Sequence, residues 1–254
     1  MDQVNTAGRV IVTGGASGIG LAAATAFLDR GAQVGIVSRT QRSIEKALDG
    51  PLGSYAGRVH AAVADVADDG ETAAAIDELG SALGGVGAVG ASAGIEGEMG
   101  AGIGEVTSAG FRRVLDVNVL GVFHLVKHAL PYLVREEHAS VTIIGSDSGF
   151  VATPGMLAYN ASKGALVQLT RALSVELYDQ HGIRVNSVCP SIVGTPMARR
   201  GVGVETFDEV PYPVNSAEDV AQSVVFLSSS SSRGINGVNL LSDFGFSARS
   251  SFPA

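Results

Sequence analysis

The sequence predicts an α/β fold: one doubly wound, parallel sheet of seven strands with helices on both faces. Short apolar, β-branched runs alternate with longer helical patterns along the chain, the order that builds right-handed βαβ units. A glycine-rich turn lies directly between the first strand and the first helix. With 46% hydrophobic and 17% charged residues and 34 glycines, the composition suits a buried parallel sheet joined by tight turns. A length of 254 residues fits a single domain, 1–254, around one continuous core.

The strands are expected at Arg9 to Thr13, Gln33 to Val37, Val59 to Ala64, Val86 to Ala91, Ser140 to Ile144, Arg184 to Val188 and Gly237 to Leu241. Helices are expected near Ile19 to Arg30, Asp69 to Leu83, Thr107 to Arg135, Tyr159 to Tyr178 and Ala217 to Ser228. Two stretches read as irregular: Gly94 to Gly104, and Ala198 to Val214, the latter part of a longer segment 191–214. Both follow strands, where ligands of such sheets bind, so both are candidate substrate loops; ordinary surface loops are the other reading.

Charge and composition exclude several classes. A net charge of −8 without a basic run leaves no electrostatic footprint for nucleic acid. The single cysteine, Cys189, forms no intrachain disulfide and reads as a small buried residue, which fits a reducing cytoplasm. Met1 to Asn5 lacks the basic start and apolar stretch of a signal peptide, and no apolar run reaches about 18 residues. A cytoplasmic protein with no membrane partner, and with no metal site, is expected.

Thr13-Gly14-Gly15-Ala16-Ser17-Gly18-Ile19-Gly20 follows the first strand and opens a helix. Gly14, Gly18 and Gly20 leave room for a sharp turn, for close approach of a pyrophosphate and for tight packing of helix on strand. The helix start then offers unpaired N–H groups and a positive dipole end to phosphate, with Ser17 and Ile19 at its head. A site for NAD usually places a carboxylate at the end of the second strand; here that strand ends Val37-Ser38-Arg39-Thr40. Arg39 is suited to a 2′-phosphate, with Ser38 or Thr40 adding a hydroxyl, so NADP(H) is favoured while NAD(H) stays possible. Such an arginine contact contributes about 1.5–3 kcal/mol. Asp65, past the third strand and before Val66, either meets the adenine amino group or caps a turn.

Tyr159-Asn160-Ala161-Ser162-Lys163 begins a helical stretch, so Tyr159 and Lys163 share a face. A free phenol titrates near pH 10, too high for a good base at neutrality. A cation roughly 6 Å away at an effective dielectric of about 20 contributes about 2.8 kcal/mol toward the phenolate, and an oxidised nicotinamide pushes the same way. Ser146, at the end of the fifth strand, is placed to donate to a substrate oxygen. Asn118 is a poor helix former inside a helical pattern, which makes sense if its polar groups are employed.

With these pieces in place the whole chain resembles the short-chain dehydrogenase/reductase family in its single-domain form. The matching motifs are the glycine turn from Thr13 to Gly20, Asp65, Asn118, Ser146, the pair Tyr159 and Lys163, Arg184-Val185-Asn186-Ser187-Val188-Cys189-Pro190, and Thr195-Pro196-Met197. The resemblance implies a Rossmann fold and hydride transfer between a nicotinamide and the carbonyl or alcohol carbon of a small or medium substrate. It implies that Tyr159 is the general acid and base and that Ser146 polarises the reacting oxygen. Lys163 would hold the nicotinamide ribose and lower the Tyr159 pKa, Asn118 would anchor a proton-relaying water, and Thr195 would meet the carboxamide.

Around the cofactor the resemblance also points to Ala93, Gly94, Pro190, Ile192 and Val193; around the substrate it points to Glu96, Ser148, Met156 and Ser191. It implies a homo-oligomer, tetramer or dimer, built on the helices of Asn118 and Tyr159. The chain departs from the pattern in four places. Ala91-Ser92-Ala93-Gly94 lacks a sheet-steadying asparagine, whose part would fall to Ser92. Pro190-Ser191 replaces Pro-Gly and puts a hydroxyl near the nicotinamide. The segment from Met197 to Pro211 looks short for a helical lid, which predicts a more open site. Asp243-Phe244-Gly245-Phe246 replaces Asp-Gly-Gly, with an apolar tail through Phe252 that would cover a neighbouring subunit. NAD-linked alcohol oxidation and a non-catalytic dinucleotide-binding regulator are the competing functions.

Overall fold

The computed structural model describes residues 8–249. The expectations for Met1 to Asn5 and for Phe252 fall outside the described residues. Seven strands, β1 (Arg9–Thr13), β2 (Gln33–Ser38), β3 (Val59–Val63), β4 (Ala88–Ala91), β5 (Ser140–Ile144), β6 (Arg184–Pro190) and β7 (Asn239–Ser242), form one sheet in the order β3-β2-β1-β4-β5-β6-β7. Every pairing is parallel. The order reverses between β1 and β4, and in doubly wound sheets ligands bind outside the carboxyl ends of the strands at such a point.

Alternation along each strand sends side chains to both faces. Val10 and Val12 pack on one face with Phe27 of α1 (Gly18–Asp29), Ala47 of α2 (Gln41–Asp49) and Val220 and Val224 of α8 (Ala217–Leu227). Ile11, Val141 and Ile143 pack on the other with Leu79 of α3 (Asp69–Leu83), Leu125 of α5 (Gly121–Leu133) and Leu166 of α6 (Leu157–His181). Each fully buried side chain of this size contributes roughly 1.5–3 kcal/mol. The strands need no polar face because helices cover both sides.

Local signals set the helix ends. Asp68 accepts from the Glu71 N–H at 2.8 Å to start α3, and Gly84 closes it at φ 69°. Ser216 and Asp219 make a reciprocal capping box at α8, and Gly182 ends α6 at φ 69°.

The structure redraws several of the expected elements. The helix anticipated from Thr107 to Arg135 is α4 (Ser108–Leu115) and α5 joined by one π turn, Asp116–Leu120. The polar nonapeptide of α2 is helical although only Ile44 and Ala47 of it are buried. Residues 198–202, read as irregular, belong to α7 (Pro196–Val202), which Thr195 caps and Pro196 initiates. Lastly, β4 starts at Ala88 rather than Val86, β6 runs on to Pro190, and β7 lies two residues later at its start than expected. No helix among the described residues is long and apolar enough to cross a membrane.

Candidate active site

A cleft of about 1010 Å3 opens at the carboxyl ends of the strands. Its floor begins with the glycine turn. Gly14 adopts φ +67°, and a Cβ there would lie 2.9 Å from the Ala93 backbone nitrogen. At Gly20 a Cβ would lie 2.4 Å from the Gly14 carbonyl oxygen, so only glycine allows α1 to start this close to β1. Gly18 adopts φ +52°, and a Cβ there would lie 3.3 Å from the Thr195 methyl. Ser17 precedes α1 in extended conformation without capping it through its side chain, and the first turn carries no acid. That helix start therefore keeps its N–H groups and dipole for an anion.

The cleft is lined by Gly14, Ser17, Gly18, Ile19, Ser38, Arg39, Asp65, Val66, Ala93 and Gly94 on one side. It is lined by Glu96, Ser146, Ser148, Met156, Tyr159, Lys163, Pro190, Ser191, Ile192, Val193 and Thr195 on the other. Three expected site residues stand behind the lining. Gly20 lies inside the turn, Thr40 caps α2 by accepting from the Ser43 N–H at 3.3 Å, and Asn118 is buried at the π turn.

At the adenosine end, Arg39 is exposed and makes no hydrogen bond or ion pair among the described residues. Ser38 shares a hydrogen bond with Ser43 at 2.8 Å. Asp65 is engaged elsewhere: it pairs with Arg113 and accepts from the Ala67 N–H at 3.1 Å. Partial burial works against its charge, but the Arg113 and Ala67 bonds, with the Arg113 and Arg39 charges, hold the carboxyl below its usual range. Arg113 went unnoticed in the sequence because it lies 48 residues from its partner.

The steadying bond missing after β4 is made by backbone instead of by the Ser92 side chain. The Thr13 hydroxyl accepts from the Ser92 and Ala93 N–H groups at 3.2 and 3.4 Å. Asn118 clamps the next residues: its Oδ1 accepts from Ile95 N–H at 2.8 Å, and its Nδ2 donates to the Ile95 carbonyl and to Ser162 Oγ, both at 3.0 Å. Those contacts use both of its amide hydrogens.

At the far end, Ser146 caps a short 3-10 turn (Asp147–Gly149), accepting from the Ser148 N–H at 3.1 Å and donating to Asp147 Oδ1 at 3.0 Å. The Tyr159 phenol lines the cleft together with Ser146. Lys163 is buried, donates to the Ile144 carbonyl at 2.9 Å and holds its ammonium 5.5 Å from the centre of the Tyr159 ring.

The electrostatics differ from the expectation for Lys163. Burial pushes Tyr159 up to about 12, and Asp147, Glu96 and Cys189 add to it; the Ser146 hydroxyl opposes this only with its proton turned toward the phenolate. Burial also brings Lys163 down to about 8. Its ammonium sits over the ring and spends a bond on Ile144, so it does not by itself overcome the cost of burying a phenolate.

Sequence reading also missed Asp147, although a carboxylate directly after the strand-end serine was a visible signal. On the α7 side of the mouth Met197, Ala198, Arg200 and Gly201 line the cleft, and Arg200 pairs with Glu96 at 3.2 Å. Ser191 does reach the cleft, where its Oγ accepts from Asn215 Nδ2 at 3.5 Å. No cluster of metal-ligating side chains occurs among the described residues.

The glycine cradle, the free helix start and the long cleft fit a dinucleotide with its pyrophosphate at α1, its adenosine near Arg39 and its nicotinamide end near Tyr159 and Thr195. Comparison with known proteins agrees with this shape. Residues 14–247 match the family model described as enoyl-(acyl carrier protein) reductase. The chain is 36% identical to 2-(R)-hydroxypropyl-CoM dehydrogenase of Xanthobacter autotrophicus, over 94% of this chain and 98% of that protein. It is 35% identical to the mitochondrial borneol dehydrogenase of Lavandula x intermedia, over 93% and 89% of the two chains. The crystal structure of levodione reductase superposes with a TM-score of 0.87 at 28% identity, covering 95% of this chain and 98% of that one.

Proposed function

The chain belongs to the short-chain dehydrogenase/reductase family, and from that premise we propose that it is an NADP(H)-dependent oxidoreductase of a small or medium secondary alcohol and its ketone. Dehydrogenases acting on CH–OH groups are its relatives along nearly the full chain, which supports the reaction class. The observation that carries the reading is that Tyr159, Ser146 and Lys163 line one cleft, with the Lys163 ammonium 5.5 Å from the centre of the Tyr159 ring.

A nicotinamide bound in the cleft supplies the hydride donor or acceptor. In reduction the Tyr159 phenol gives its proton to the substrate oxygen; in oxidation its phenolate takes the hydroxyl proton. Ser146 orients the same oxygen. Lys163 binds the ribose, and its charge favours the phenolate once the cofactor screens the ring from water. Thr195 meets the carboxamide. Asn118 acts through backbone geometry, since its side chain is occupied by Ile95 and Ser162. The segments 94–104 and 191–214 form the substrate loops, with Glu96, Ser148, Met156 and Ser191 facing the substrate.

The choice of NADP(H) rests on Arg39, whose guanidinium is free for a 2′-phosphate, and on the lack of a carboxylate at the end of β2. The nearness of Asp65 favours a second reading, NAD(H), because its charge attracts Arg39 away from a phosphate. A homo-oligomer is proposed on α5 and α6, which expose Leu120, Phe123 and Val134 beside them, and Val175 and Tyr178.

Tyr159→Phe tests the reaction: turnover is expected to fall by at least about a thousandfold, while NADPH binding, read by its fluorescence, stays unchanged. Undiminished turnover in that variant would remove the assigned acid/base. A panel of aldehydes, ketones and diketones followed by NADPH absorbance distinguishes an enzyme from a silent binding protein.

A further inference from the structure

Ser146 has one proton to give, and two groups compete for it. Its Oγ donates to Asp147 Oδ1 at 3.0 Å, and it lines the cleft together with the Tyr159 phenol, whose ionised form is the rival acceptor. The Ser148 N–H, 3.1 Å away, fills another position on the same oxygen. While Asp147 holds the serine proton, the bond between Tyr159 and Ser146 forms only with the phenol as donor. A serine in that state stabilises the phenol and offers nothing to a phenolate. With Asp147 absent or protonated, the serine proton is free to turn toward the phenolate or the substrate oxygen.

We propose that Asp147 is a positioning residue that orients the Ser146 hydroxyl, holding it as an acceptor toward Tyr159 and thereby keeping Tyr159 in its proton-bearing, acid form. The inference rests on the reading of Tyr159 as the proton carrier and adds a device that sets its ionisation. A charged acceptor makes a stronger bond than a neutral one, so an ionised Asp147 wins the serine proton against a substrate carbonyl. The short turn Asp147–Gly149 fixes the carboxylate beside the serine, and Phe150 and Val151 N–H groups bond back to the Asp147 carbonyl. The titratable groups facing the carboxylate are Asp243 beyond β7, Tyr159 on α6 and Cys189 on β6. Half-burial raises the Asp147 pKa, and Asp243 raises it further, against the Ser146 and Ser148 bonds. The serine proton is accordingly released at a milder acidity than an open carboxylate would allow.

The chain has five tyrosines and no tryptophan, so tyrosinate absorbance reads phenol ionisation directly, and subtraction of Tyr159→Phe isolates one ring. The experiment is a double-mutant cycle on the full chain saturated with NADP+, comparing Asp147→Val in the native and Ser146→Ala backgrounds. With Ser146 present, Asp147→Val is expected to raise the ionisation constant of Tyr159 at least about tenfold, a fall of about one pH unit in its midpoint. In the Ser146→Ala background the same change is expected to move it less than about threefold, the residue of through-space charge. Equal shifts in both backgrounds, or no shift with Ser146 present, overturn the proposal. Asp147→Ala carries the same comparison if circular dichroism shows that the valine variant does not fold. Retained turnover in Tyr159→Phe would remove the proton carrier itself, whereas the absorbance cycle reports on Asp147 separately.

Discussion

Tyr159 at about 12 and Lys163 at about 8 describe a pair tuned in opposite directions by burial. Reduction consumes the phenol proton, so its rate is expected to be flat at low pH and to fall above the Tyr159 pKa of the loaded enzyme. Oxidation needs the phenolate and is expected to rise through the same pKa; rate profiles measured in both directions check the shared midpoint. Burial brings Lys163 down to about 8, so its charge is lost as pH rises through that value. If its ammonium holds the ribose, cofactor affinity weakens above that pH in calorimetric titration, and Lys163→Met is expected to flatten the dependence. Arg39→Ala is expected to weaken NADPH binding roughly ten- to a hundredfold and to leave NADH nearly untouched. Equal NADPH affinity in that variant would move the assignment toward NAD(H). At this scale the sequence displayed the chemical groups through their order and spacing. It hid Asp147 and Arg113, because their importance arises from contacts with Ser146 and Asp65 that only folding creates.

Individual elements explain which parts of the fold were legible. The apolar strands and the long helices announced themselves through burial, whereas α2 buries only two side chains and α7 is a single capped piece of seven residues. Their helicity comes from Thr40 and Thr195 caps more than from an apolar stripe. The π turn at Asp116–Leu120 was equally invisible: it accompanies the clamp of Asn118 onto Ile95, a contact spanning 23 residues. Gly20 is the most constrained element junction. A methyl group there would meet the Gly14 carbonyl, so Gly20→Ala is expected to cost about 1–3 kcal/mol by forcing α1 away from β1. Thermal melting reads the loss, expected at roughly 2–4 °C per kcal/mol for a chain of this size.

Across the molecule, Arg184 joins elements that are otherwise far apart in the chain. It is 5% exposed and donates to the Leu227, Ser229 and Ile235 carbonyls and the Ser232 hydroxyl, at 2.9 to 3.3 Å. Asn186 adds bonds to the Ile235 carbonyl and from the Val238 N–H, so the stretch beginning Arg184-Val185-Asn186 fastens the end of α8 and the approach to β7 onto β6. Arg184→Ala would strand those buried acceptors. A loss of about 3–5 kcal/mol in chemical denaturation is expected, with weaker cofactor binding following only through the fold. Phe244 sits at φ 54° with 54% of its surface exposed, a conformation glycine adopts without strain.

At the cleft mouth Glu96, on the segment after β4, pairs with Arg200, in the helix after β6. Arg200 is 64% exposed, so the bond is screened by dissolved ions and holds the two banks together only weakly. Added salt is therefore expected to loosen this crossing, and KM for bulky against slim substrates, measured at low and high ionic strength, reads how far the crossing governs entry.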